Sequence, residues 1–165
     1  MLLTIFLAIV LCAAITLMLL SAVTFIQGGK FFSSAPKEMQ EVIKPRESEP
    51  FYGARAMGGM LMVISMVIIA GVVVISIWDG FRSGFTFFQF FLRFVTIFTI
   101  YKIYDMVWFD YFLLIKFKFF QHYFPETESA FRGRKYGFNI KSQLLKLLVI
   151  FPAASALAAW ICTLF

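Results

Sequence analysis

The chain has 165 residues, 61% hydrophobic and 15% charged, with a net charge of +6 and a mean hydropathy of +0.87. A soluble domain is nearer half apolar and a quarter charged, so this composition excludes a water-covered globule and points to an integral membrane protein. Two cysteines in apolar runs and a single histidine leave no disulfide framework and no zinc or di-iron ligand set, so neither a metal nor another cofactor is expected.

The first apolar run, 2–26, lacks a basic stretch before it. It therefore reads as a retained spanning helix with a translocated start rather than a cleaved signal peptide. A polar loop, 27–55, follows, with Pro36, Pro45 and Pro50; its piece 37–43 is amphipathic enough to lie on a membrane surface. The second span is 56–78, and "WDGFRSG" after it is expected to form a tight turn in which Asp79-Gly80 and Gly84 break the helix.

The third segment, 85–120, contains neither proline nor glycine. As one straight helix it would be ~54 Å long, against a hydrocarbon core of ~30 Å. Its span is placed at 85–107, and the basic-aromatic remainder, "LIKFKFFQHYF", runs through the cytoplasmic interface. A second polar loop, 121–141, leads to a fourth span at 142–164, which Pro152 is expected to kink.

Four spans put both termini on one side and both long loops on the other. The loops and their borders carry Lys30, Lys37, Lys44, Arg46 and Arg55, then Lys116, Lys118, Arg132, Arg134, Lys135 and Lys141, while the opposite side has Arg82. The positive-inside rule then makes both long loops cytoplasmic and both termini external. The expected fold is an all-α four-helix bundle, one multi-pass domain over 1–165 in a cell membrane. Basic residues that flank apolar runs in this way exclude nucleic acid as the reason for the charge.

The ionisable residues in apolar surroundings are the candidate site, because such groups usually face a bundle interior. Arg93 lies inside the third span, positioned for an anionic group or for a carboxylate partner. Lys102 and Asp105 are three apart on one helix face and can pair. Asp110 has only apolar neighbours three and four residues away, so its partner must come from elsewhere; Arg55 and Lys146 are the candidates at similar depth. Glu128, Arg132, Arg134, Lys135, Tyr136 and Asn139 in the second loop form a candidate headgroup or partner surface. Small residues at Ala54, Gly58, Ala154, Ser155, Ala158 and Ala159 allow close helix packing, within the bundle or between subunits. The phenylalanines from Phe85 to Phe98 read as lipid-facing bulk or as a pocket lining.

"DMVWFDYFLL" at 105–114 and "PETESAFRGRKYGFNIKSQLL" at 125–145 resemble a poorly characterised family of small four-span membrane proteins of Gram-positive bacteria. In that family two aspartates end the third span, a Thr-Glu lies in the next loop, and a Tyr-x-Phe-His element leads into the last span. The matching residues are Asp105, Asp110, Thr127, Glu128, Tyr136 and Phe138, with Asn139 in place of the histidine. The resemblance implies the four-span topology and a candidate site, without a reaction.

No Gly-rich phosphate loop, H-E-x-x-H, G-x-S-x-G or triad signature is present. With the small size and the small-residue helix faces, this points to an expected role that is non-catalytic: a small membrane subunit or scaffold that packs in lipid on other membrane proteins or on copies of itself. The alternatives are a small transporter or channel with an intramembrane polar path, and a lipid-binding or lipid-modifying protein with its site at the cytoplasmic interface.

Overall fold

A computed structural model describes residues 1–27, 41–43, 46, 48–131 and 140–164. All regular structure among them is helical. The helices are α1 (Leu2–Ser21), α2 (Ala54–Arg82), α3 (Phe87–Tyr104), α4 (Phe119–Tyr123), α5 (Glu128–Phe131), α6 (Ile140–Leu145) and α7 (Phe151–Cys162). Helices satisfy their backbone groups internally, which is what an apolar surrounding demands. Among the described residues three stretches are long and apolar enough to cross a membrane: Leu2–Ile26, Ala54–Arg82 and Lys141–Cys162. The serines buried in them bond back to carbonyls four residues earlier, as in Ser65 to Leu61 (2.8 Å), Ser76 to Val72 (2.7 Å) and Ser155 to Phe151 (2.7 Å).

The end of α2 corrects the expected turn. Asp79 and Gly80 are helical, and the helix continues to Arg82. It stops because Gly84 takes φ +63, with its N–H on Phe81 O (3.1 Å) and the Phe85 N–H on Gly80 O (2.9 Å), the paired bonds of a Schellman cap. Gly80 serves another purpose. A Cβ there would lie 2.2 Å from Cε1 of Phe90, so the missing side chain lets the Phe90 ring sit on the α2 backbone. Thr86 and Gln89 then open α3 with a capping box, which uses the polar groups of Gln89 outside the helix interior.

The third helix ends at Lys116, where Phe117 bends and Lys118 takes φ +49, an uncommon value for a residue with a side chain. From Asp105 to Lys116 it is π-helical, and the Phe117 N–H closes the run on Phe112 O, five residues back (2.8 Å). Most π-turns are single; this one is sustained. Trp108 meets Phe112 at a tilt with centroids 5.9 Å apart, and Phe112 stacks on Phe117 at 6.0 Å, spaced by four and then five residues, as i→i+5 bonding brings them together. Two shorter π runs occur, Ala22–Ile26 and Lys146–Ile150. The latter immediately precedes Phe151 and Pro152. Proline cannot donate to the preceding turn and its ring crowds the carbonyl there; the wider turns upstream take up that misfit.

The chain divides into two compact units: Met1–Ala14, Val67–Met106 and Asn139–Phe165; and Ile15–Met66 with Val107–Phe138. In the first, α3 packs on α7. Phe90, Phe94, Ala159 and Cys162 form its core, edged by Ile77, Phe85, Phe91, Phe98 and Ala158. The small face that matters is Ser155 and Ala159, both fully buried, whereas Ala154 is exposed. In the second unit Val23, Ile43, Phe120, Phe124 and Phe131 form the core. Gly58 lies against the end of the first helical stretch, where a Cβ would meet Phe25 Cβ at 2.7 Å and Ile26 Cγ1 at 2.8 Å. These close approaches occur within one chain.

Candidate functional site

Arg93 and Lys102 are the most enclosed charges among the described residues, and the Arg93 side chain is 4% exposed. It lies on α3, seven residues past the Thr86 cap, and Asp79 lies seven residues before it. A helical hairpin sets such positions level with each other. Arg93 Nη2 pairs with Asp79 Oδ2 at 2.7 Å, and Nη1 donates to the Ser76 carbonyl at 2.9 Å. The Phe85 ring covers the guanidinium, its centroid 4.2 Å from Cζ. A carboxylate, a carbonyl and an aromatic face thus meet one delocalised cation, the environment arginine suits best. Arg93 Nε is buried with no hydrogen bond among the described residues.

One turn before the π run, Lys102 is 4% exposed and its Nζ contacts Asp105 Oδ2 at 2.5 Å. This is an i,i+3 pair on a single helix face. Asp110 is half-buried in the π run, Arg55 is exposed, and Lys146 is exposed at the start of the 146–150 run. Arg55 Nη2 donates to the Arg46 carbonyl at 2.5 Å.

Arg46 is the second anchored arginine. Its Nη2 pairs with Glu126 Oε2 at 2.9 Å and donates to the Tyr123 carbonyl at 3.1 Å, and Cζ stands 5.5 Å from the Phe124 ring centroid. Through it the first polar loop is tied to the second. Thr127 is fully buried and donates to Phe124 O at 2.7 Å, which makes it a structural member of the 125–127 turn. Glu128 meets Lys118 at 3.4 Å with both side chains mostly exposed. Gln121 Nε2 donates to Leu114 O at 3.0 Å, occupying a carbonyl at the end of the π run.

The structure therefore joins Lys102 with Asp105, and gives Arg93 a counter-ion from α2 rather than from its own helix. Arg132, Arg134, Lys135, Tyr136, Phe138 and Asn139 lie outside the described residues, as do Lys30, Lys37, Lys44 and most of the amphipathic piece 37–43. The sequence reading puts Asp79 in a turn, passes over Ser76, and leaves Glu126 among the polar residues of the 121–141 loop without its Arg46 partner; the equal spacing of 79 and 93 about Thr86 is the available signal for Asp79. Among the described residues no group of three or more His, Cys, Asp or Glu gathers to hold a metal. Arginine does not deprotonate, so the Arg93 assembly neutralises charge and fixes geometry rather than transferring a proton. Compared with protein-family models, characterised proteins and solved structures, the chain matches none, and the resemblance over 105–145 rests on its residues alone.

Proposed function

We propose that this chain is a small non-catalytic membrane subunit or scaffold: a four-span bundle, both termini external and both long loops cytoplasmic, that packs on other membrane proteins or on itself. The observation that carries this reading is that the enclosed cations are neutralised within the chain, Arg93 by Asp79 and Lys102 by Asp105. A transport path would instead present such groups to a substrate. Outward-facing α2 supports it too: Val63, Ile64, Val67 and Val74 are all exposed, a face for lipid or for another helix.

The Arg46–Glu126 contact supports the topology: it ties the two long loops together, in keeping with two crossings between them by α2 and the third helix. The alternative with a headgroup site rests on basic residues that lie mostly in 132–139.

Purification in gentle detergent, followed by native mass spectrometry of protein and lipid, tests the reading. A defined homo-oligomer or a stoichiometric complex with another membrane protein is the expected result; a monomer carrying lipid alone would sink it. Labelling of a cysteine placed at residue 40 from the outside would overturn the orientation.

A further inference from the structure

Among the described residues three helices are long and apolar enough to cross a membrane, judged by length and composition, and the 87–116 helix is not among them. It carries Arg93, Lys102, Asp105 and Asp110. Lys102 and Asp105 compensate each other within the helix itself. Arg93 does not: its carboxylate and its carbonyl both come from α2. The same stretch of α2 supplies Gly80, whose missing Cβ admits the Phe90 ring, and Phe81 meets that ring edge-on at 5.6 Å. Charge and shape complementarity therefore converge on one short hairpin within a single compact unit.

We infer that the third helix enters the membrane only as the partner of α2, with Asp79 as the counter-ion that makes its insertion possible. This rests on the four-span reading and goes beyond it, because it states what the crossing of the least apolar span depends on. An unpaired arginine deep in a bilayer disfavours insertion by roughly seventyfold to several hundredfold. Pairing with Asp79, bonding to the Ser76 carbonyl and cover by Phe85 remove most of that barrier once the hairpin forms. The dependence is asymmetric. Loss of Asp79 leaves a buried cation without its acid, whereas loss of the Arg93 charge leaves Asp79, 28% exposed, at a wetter site on a helix long and apolar enough to cross a membrane.

The test reads sidedness. Cysteines placed one at a time at Ser83 and Ser129, both exposed, are labelled with a membrane-impermeant maleimide in right-side-out and inverted vesicles. The native chain sets the background, since Cys12 and Cys162 are buried. In the native background the two positions should label from opposite sides. With Asp79→Ala they should label from the same side in most chains. The exchange Asp79→Arg with Arg93→Asp should restore opposite sides, and Arg93→Leu alone should retain them. Where the Asp79→Ala protein does not accumulate in cells, synthesis into microsomes gives the same readout without degradation. Opposite-side labelling that persists in Asp79→Ala overturns the inference. Same-side labelling in the native chain overturns the four-span reading instead.

Discussion

Arg93 and Arg46 are held by the same three kinds of group in two different settings. Each pairs with a carboxylate, Asp79 or Glu126, and donates to a carbonyl, Ser76 or Tyr123. Each also faces a phenylalanine ring, Phe85 at 4.2 Å or Phe124 at 5.5 Å. What differs is access to water: the Arg93 side chain is 4% exposed and that of Arg46 is 33% exposed. Enclosure raises the cost of separating a pair, because the remaining charge keeps its desolvation penalty. At an open site water replaces the missing partner. Identical recognition can therefore be structural necessity in one place and a minor contribution in the other.

The sharpest way to break this comparison is Asp79→Ala, expected to cost about 3–5 kcal/mol, the range for stranding one partner of a buried pair, read by denaturant titration in detergent. Next comes Gly80→Ala. Its Cβ would press into the Phe90 ring, and overpacking of this kind costs about 1–3 kcal/mol. Gly59→Ala is its control: nothing lies within 4 Å of a Cβ there, and removing a glycine from a helix interior gains about 0.5–1 kcal/mol. Arg46→Ala should cost no more than about 1 kcal/mol and lose much of that effect at high salt, while increasing proteolysis in 41–55. Lys118→Ala should be smallest, within about 0.5 kcal/mol, because its 3.4 Å contact with Glu128 is open on both sides. A cost for Arg46→Ala equal to that for Asp79→Ala would show that burial does not separate the two arginines.

Legibility in the sequence followed the range of the interactions. The long apolar runs at 2–26 and 56–78 stood out because continuous hydrophobicity is a local property, and so did Lys102 with Asp105, three residues apart. Asp79 was hidden by its neighbour: Asp-Gly is a turn signal, and only the packing of Phe90 shows why glycine follows the acid inside a helix. The Arg46–Glu126 pair joins positions 80 apart in sequence, where no periodicity reports. The π run was hidden because an apolar, aromatic stretch carries little contrast by which a period of 3.6 could be told from a wider one.

That run has a consequence for the gene as much as for the protein. A π-turn holds one more residue than an α-turn, so a helix that has gained a residue can absorb it there. Loss of one codon within 105–116 returns a turn to α-geometry, while α3 upstream keeps its register. The same loss between Thr86 and Arg93 rotates the arginine away from Asp79 and turns Phe90 off Gly80. Natural length variation in this helix should therefore collect beyond Tyr104 and be absent between the cap and the arginine.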